Sequence, residues 1–325
     1  MKYLYSIFII ISLAFISCSD KESSSRVSNN VKDNILKIGI LQLIEHDALD
    51  SSYRGFVDGL KEYGYEDGKN IIIDYQNAQG EQANCVTIAQ KFVNDKSDLI
   101  LAIATPAAQA VANITKDIPI LITAVTDPAD SKLVKDNNAP GGNVTGTSDL
   151  TPVREQIDLL NKVIPNLKTV GLLYCSSEQN SILQMDIAKK KLDSMGIKYI
   201  DATVSTANEI QQVVQSLVGK VDAIYTPTDN MIAAGMATVA LVAEPSKIPV
   251  ICGEGGMTRL GGTITYGINY YELGKLTAKQ AIQILKGESE PSTMPIETLK
   301  TFDLIVNTNM VNSIGMTIPE ELYNK

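Results

Sequence analysis

Several short polar clusters in this sequence carry groups suited to holding a small molecule: hydroxyls and free amides for an anionic group, acids for a cationic one, and a ring for an apolar slot, a set that serves many small solutes. In Thr105-Pro106-Ala107-Ala108-Gln109, Thr105 is placed as a helix N-cap and Pro106 as the first helical residue, so the amides of Ala107 and Ala108 can face an anion. A plain capped helix start would carry the same residues. Thr126-Asp127-Pro128 offers Asp127 either as an acceptor for an ammonium or as the cap of a turn. The run from Thr145 through Gly146, Thr147 and Ser148 to Asp149 supplies hydroxyls and amides, with a glycine that also suits a hinge. Farther on, Ser177, Asn180 and Ser181 open a helical stretch, where they either reach a ligand or form a polar surface loop. Asp229, between Thr228 and Asn230, is an N-cap, the partner of an ammonium, or both through its two oxygens. Glu254 beside Gly255 adds another acid, and Tyr266 a ring that either stacks on a ligand or fills a core. On this reading Asp229 is the residue whose loss would weaken ligand binding most.

Catalytic chemistry finds less support. His46 is the only histidine, so no serine or cysteine has a base besides it, and no His/Cys/Asp cluster has metal-ligand spacing. It follows the first apolar run in IEHDALD, where it either touches a ligand or is a solvated loop residue. Cys85, Cys175 and Cys252 form an odd set without a disulfide framework, and Cys175 and Cys252 end apolar runs as packing residues do. A racemase working through one thiol on each side of a cleft would need Cys175 to face Cys85, but Cys85 lies in the amphipathic stretch 84–94 rather than at a strand end. No Walker-type phosphate loop occurs, and nothing calls for a cofactor or a metal. With no Trp and 5 Phe, stacking would fall to tyrosines.

The elements that must position these clusters alternate between short β-rich runs and helical patterns from residue 36 onward, the signature of βαβ units and parallel sheets. Runs at 37–43, 71–75, 99–104, 118–125 and 143–147 are followed by a second series at 169–175, 197–204, 221–226, 248–253 and 263–268. Gly39 in KIGIL matches Gly171 in TVGLLY, and IPILITA matches IPVICGE, so the halves read as architectural copies. In an open parallel sheet a ligand sits beyond the carboxyl ends of the strands, where the polar clusters fall. A helix at 270–285, a strand at 301–306 and a last helix near 309–314 then require the chain to return once and cross again, with crossings near Asp149, Ile268 and Leu299. The expected division is lobe I at 35–149 plus 269–298 and lobe II at 150–268 plus 299–325.

A net charge of -9 leaves nucleic acid without the basic surface that phosphates need. Residues 6–17 (SIFIIISLAFIS) follow Lys2 as the apolar core of a signal peptide spanning 1–17, too short to cross a bilayer. Ser17-Cys18-Ser19 resembles the lipobox of bacterial lipoproteins, with Phe15 where that pattern favours leucine; it implies lipidation at Cys18, followed by a polar tether through 34.

The motifs GYEDGKNIIIDYQNAQG (64–80), IATPAAQA (103–110), AVTDP (124–128), NVTGTSD (143–149), PTDN (227–230) and YGINYYELG (266–274) together resemble the substrate-binding lipoproteins of ABC transporters described as tryptophan or tyrosine transport components. The likeness spans roughly residues 36–322. It implies a periplasmic-binding-protein-like type I α/β fold of two doubly wound lobes on a three-crossing hinge, and no catalysis. It also implies capture of a small molecule, an aromatic amino acid in some members, for an ABC permease and its ATPase at the extracytoplasmic face of a bacterial membrane. Capture of a different solute, or a sensory output, would use the same fold.

Overall fold

The structure, a computed structural model, describes residues 35–323. The signal peptide, Cys18 and the tether lie outside the described residues. Among the described residues no helix is long and apolar enough to cross a membrane.

The chain first lays down β1 (Leu36–Gln42), α1 (Asp47–Glu62), β2 (Ile71–Asn77), α2 (Gln82–Asn94), β3 (Leu99–Ile103), α3 (Thr105–Ile114), β4 (Ile120–Val125) and β5 (Val144–Ser148). It then repeats the plan with α4 (Val153–Val163), β6 (Thr169–Cys175), α5 (Gln179–Met195), β7 (Lys198–Val204), α6 (Ile210–Leu217) and β8 (Ala223–Thr226). The short helices α7 (Asn230–Ala234) and α8 (Met236–Ala243), β9 (Val250–Cys252), α9 (Gly255–Leu260) and β10 (Ile264–Gly267) complete the second series. It ends with α10 (Tyr270–Leu285), β11 (Glu297–Thr298), β12 (Asp303–Val306) and α11 (Thr308–Ser313).

Two six-stranded sheets result, ordered β11-β5-β4-β3-β1-β2 and β12-β10-β9-β8-β6-β7. The central strands β3 (LILAI) and β4 (ILITAV) are buried throughout, as expected of strands covered by helices on both faces. Edge strand β2 (IIIDYQN) keeps only its first residue fully buried. All pairings between strands are parallel except β10 with β12. The exception follows from the path. The chain leaves β11 at its carboxyl end, crosses through 299–302 and enters the second sheet from the edge where β10 ends, so β12 must run against β10. The other crossings are 149–152, between β5 and α4, and 268–269, between β10 and α10.

Helix α10 returns to the first sheet, with Leu273, Ala278, Ala281 and Ile282 in the same apolar core as β1, β3 and β4. It lies against α1 at backbone contact. A Cβ on Gly55 would stand 2.0 Å from the Tyr271 carbonyl oxygen, and one on Gly274 would stand 2.1 Å from that of Ser52. Those glycines fix how closely α10 seats and hence where the residues just before it, at the hinge, are held. Replacing Gly274 with alanine must push the helices apart. The expected result is a loss of about 1–3 kcal/mol of unfolding free energy in urea denaturation; wild-type stability in Gly274→Ala would show that the two helices separate at no cost.

Candidate functional site

The carboxyl ends of both sheets face each other, and the loops that follow them touch. His46 Nε2 lies 3.3 Å from Asn230 Oδ1, and the hydroxyls of Thr126 and Thr228 are 3.3 Å apart. Gln109 Nε2 donates to Gln179 Oε1 at 2.9 Å, and Arg259 Nη2 donates to Asp47 Oδ2 at 2.6 Å. Between these contacts runs a slot whose walls include Ala48, Leu49, Ala124, Ala233 and Tyr270, with Asp149, Asp229 and Glu254 among its polar groups. Its volume is only ≈ 10 Å³, so the lobes are closed on it. A wider cavity of ≈ 440 Å³ adjoins it at the β2/β7 side, the mouth, between Gly80 and Glu81 of one sheet and Ser177 and Thr206 of the other. Another of ≈ 330 Å³ lies on the hinge side, by Ser51, Arg259 and Asn269.

The predicted residues divide into three groups. Asp229, Asn230 and Glu254 line the slot, and Asn180, Ser181 and Thr126 are bonded to the loop 228–229 beside it. Ser177 belongs to the mouth cavity, its hydroxyl 3.1 Å from Cys175 Sγ, while Ser148 donates to the Thr126 carbonyl at 2.7 Å. Thr105, Ala107 and Ala108 are buried at the start of α3. There the helix begins one residue earlier than predicted: Ala104 is the N-cap, at φ 86, and Thr105 is already helical, so its hydroxyl caps nothing and is buried without a partner. Among the described residues the Ala107 amide likewise has no partner, whereas the Ala108 amide, also expected to face an anion, donates to the Ala104 carbonyl at 3.0 Å. Ala124, at the end of β4, also has a left-handed backbone, at φ 54. Adjacent strands thus each end in a strained alanine, of which Ala124 lines the slot.

Three expectations give way. Asp127 Oδ1 accepts from the amides of Ala129 and Asp130 and from Asn137 Nδ2, so it caps a turn, and it is not among the residues lining the slot. The Thr147 hydroxyl bonds Thr123 and Thr277 inside the first lobe, because alternation along β5 turns it toward α10. Tyr266 packs against α4 in an outer groove with Pro152 and Phe302, on the face of β10 turned away from the slot. Asp229, finally, is present but occupied: Oδ1 accepts from the Ile232 amide at 2.8 Å, and Oδ2 from the Cys175 amide at 2.6 Å and the Ser181 hydroxyl at 2.7 Å.

Sequence reasoning passed over Glu178, Asp149, Gln42 and Gln184 as site residues and left His46 open. Glu178 is buried and accepts from Asn180 Nδ2 and from the side chain and amide of Asn230. Gln184 Nε2 donates to the Thr228 hydroxyl at 2.6 Å and steadies that loop. Asp149 is 4% exposed at the hinge; Tyr270 donates to its Oδ2 at 2.7 Å, and its Oδ1 is unpartnered. Gln42 Oε1 and Asn180 Oδ1 are also buried without partners. His46 is not a solvated loop residue: α1 begins at Asp47, so His46 is its N-cap position, with Nδ1 buried and unpartnered. The only signal for Asp149 was its position as the residue following β5 at a crossing.

Burial raises all four carboxyls. Glu178 is pushed up to about 7 by burial and by the charge of Asp229, and Glu254 to about 7 by burial, against the Met257 and Gly256 amides that it caps. Burial also raises Asp229 and Asp149, the latter opposed by the hydroxyls of Tyr270 and Thr126. Burial lowers His46, which favours its neutral form. The slot lining contains three acids and no lysine or arginine. The thiols are poor nucleophiles, Cys85 being pushed up to about 11 by burial and Cys175 raised by the same cause.

The model of the ABC transporter substrate-binding protein family matches residues 37–325. The chain belongs to that family. This substrate-binding protein is 42% identical over 302 residues to a tyrosine-binding protein of Clostridioides difficile (strain R20291), covering 92% of this chain and 87% of that one. It is 40% identical to an ABC domain from Streptococcus pneumonia solved in complex with L-Trp, with a TM-score of 0.86 and coverage of 89% of this chain and 97% of that one. A ligand-free, open substrate-binding protein with adhesive properties from Clostridium difficile is 47% identical, yet its TM-score is only 0.68, over 88% of this chain and 97% of that one. The two lobes here superpose better on the ligand-bound relative than on the open one. The architecture is the two-lobed type I periplasmic-binding-protein fold.

A carboxyl raised by folding contributes stability below its unfolded value, and that contribution is lost as pH rises through its folded value. For Glu254 the window runs from 4.5 to about 7 and is worth on the order of 3 kcal/mol. Thermal unfolding of the unliganded protein should show the midpoint falling across this window. In Glu254→Gln, which stays neutral and keeps an acceptor for the helix start, the fall should be distinctly shallower. An identical slope in the two proteins would show that Glu254 is ionised at little cost.

Proposed function

We propose that this substrate-binding protein captures an aromatic amino acid, L-tyrosine or L-tryptophan, between its lobes and delivers it to an ABC permease and ATPase. The observation that carries this reading is the unshared Oδ1 of Asp149, a buried carboxylate oxygen at the hinge with no basic residue lining the slot. An α-ammonium supplies the missing donor and charge. The α-carboxylate then lies against the start of α3, where the Thr105 hydroxyl and the Ala107 amide are free. β5 and β3 are two strands apart in the sheet order, about 10 Å at a spacing of about 4.8 Å, a span that one amino-acid head group and its hydrogen bonds can bridge. The apolar wall of Ala48, Leu49, Ala124 and Ala233 is left for the side chain. The named ligands of the relatives, tyrosine and L-Trp, fit this arrangement.

Lobe I comprises 35–149 plus 269–298, lobe II comprises 150–268 plus 299–325, and the ligand closes one on the other. The protein works by binding, without catalysis. Cleavage before Cys18 and its lipidation hold it on the extracytoplasmic side of a bacterial membrane, in the cell envelope, within reach of the permease.

Calorimetric titration of the protein lacking residues 1–18 should give tight binding of L-tyrosine or L-tryptophan and none of sugars or nucleosides. Asp149→Asn should bind the same amino acid about 100-fold more weakly with little change in unfolding midpoint. Binding confined to another class of solute, or unchanged affinity in the folded variant, would defeat the assignment.

A further inference from the structure

His46 has two ring nitrogens in different circumstances. Nε2 lies 3.3 Å from Asn230 Oδ1 in the opposite lobe. That oxygen can only accept, so Nε2 carries the proton and donates. In a neutral ring Nδ1 is then a lone pair, and this atom is buried without a partner. Burial favours the neutral form, holding the imidazole below its ordinary range. A buried acceptor without a donor costs free energy until something donates to it.

The position of the ring along the cleft indicates which part of a ligand reaches it. In the sheet order β5-β4-β3-β1, Asp149 follows β5, Ala124 ends β4, Thr105 follows β3, and the loop to His46 follows β1. β1 is therefore three strands from β5, about 14 Å at a spacing of about 4.8 Å. An extended tyrosine measures about 7 Å from its nitrogen to its phenol oxygen, and a hydrogen bond of about 2.8 Å at each end brings the total to about 13 Å. His46 and Asn230 stand at the end of the slot that opens toward the mouth cavity, whereas Asp149 and Tyr270 stand at the end toward the hinge. An amino acid held by its head group at Asp149 and Thr105 would extend its ring past Ala124 and Leu49 toward His46.

Building on the proposed function, we infer that His46 is the specificity-determining residue of the cleft: its Nδ1 accepts a hydrogen bond from the donor at the far end of the ligand ring, a phenol O–H or an indole N–H. The same imidazole clasps Asn230 through Nε2, so a ligand that satisfies Nδ1 also fixes the tautomer that holds the two lobes together. Phenylalanine, lacking a ring donor, leaves Nδ1 buried and unpaired. The cleft thus selects a ring donor and not merely an aromatic ring.

The test is calorimetric titration of L-tyrosine, L-tryptophan and L-phenylalanine into wild type, His46→Leu and His46→Asn, with circular dichroism confirming that each is folded. Wild type should prefer tyrosine or tryptophan over phenylalanine by about 10- to 100-fold. In His46→Leu that preference should shrink to within about 3-fold, mainly through loss of affinity for the donor-bearing ligand. In His46→Asn, whose amide oxygen can take the place of Nδ1, part of the preference should return. A preference preserved in His46→Leu while all affinities fall together would overturn the inference and reduce His46 to a clasp between lobes. Equal affinity for phenylalanine in wild type would overturn it as well. Failure of wild type to bind any of the three would remove the aromatic amino-acid reading itself, and this role with it.

Discussion

Four buried carboxyl groups, those of Asp149, Glu178, Asp229 and Glu254, stand at the meeting of two lobes with no lysine or arginine lining the slot between them. Each would be too costly to bury alone, and the polar sequence after each strand of the second sheet is arranged to meet that cost. Asp229 is held by two amides and a serine, Glu178 by the side chains and amides of its neighbours, and Glu254 by the first amides of α9. Asp149 is the exception. Its Oδ2 accepts from Tyr270, the Thr126 hydroxyl favours its charge, and its Oδ1 accepts no hydrogen bond. Three acids are therefore structural and one is available, which distinguishes a binding group from a scaffold more sharply than burial or residue type does.

The contacts that hold the lobes together are of a weak kind. His46 with Asn230, Thr126 with Thr228 and Gln109 with Gln179 are hydrogen bonds between uncharged groups, each worth about 0.5–1.5 kcal/mol net. The pair of Arg259 and Asp47 is substantially exposed on both sides and adds at most about 1 kcal/mol. Such a set closes a cleft around a ligand and still lets it open, as delivery to a permease requires. The hinge itself is firmer, because the seating of α10 on α1 at backbone contact fixes Asn269 and Tyr270, and Tyr270 in turn orients Asp149.

Much of this was legible in the sequence. The two series of apolar runs marked five strands of each sheet with boundaries within a few residues, since fully buried parallel strands read as continuous β-branched segments, whereas the two-residue β11 left no such run. The polar clusters after those runs fall at the carboxyl ends of the strands, where the two sheets face each other. The roles within the cleft were less legible. Asp229 and Asp149 look alike in sequence, and only the three-dimensional set of donors shows that one is occupied and the other is not. His46 was obscured because α1 starts earlier than its apolar periodicity suggests; its first turn, DALD, buries Ala48 and Leu49 and draws the histidine in. Tyr266 and Thr147 were misplaced by strand alternation, since a shift of one position sends a side chain to the opposite face.

The most direct measurement of the central claim, that an amino acid bridges the two lobes in this cleft, is a distance across its mouth. The native cysteines among the described residues are buried, so spin labels placed through Glu81→Cys and Thr206→Cys, exposed positions on opposite lobes, report that distance by pulsed electron resonance. The account predicts a broad or long distribution without ligand that collapses to a single short distance when L-tyrosine or L-tryptophan is added. A distribution that stays the same at saturating ligand would contradict it.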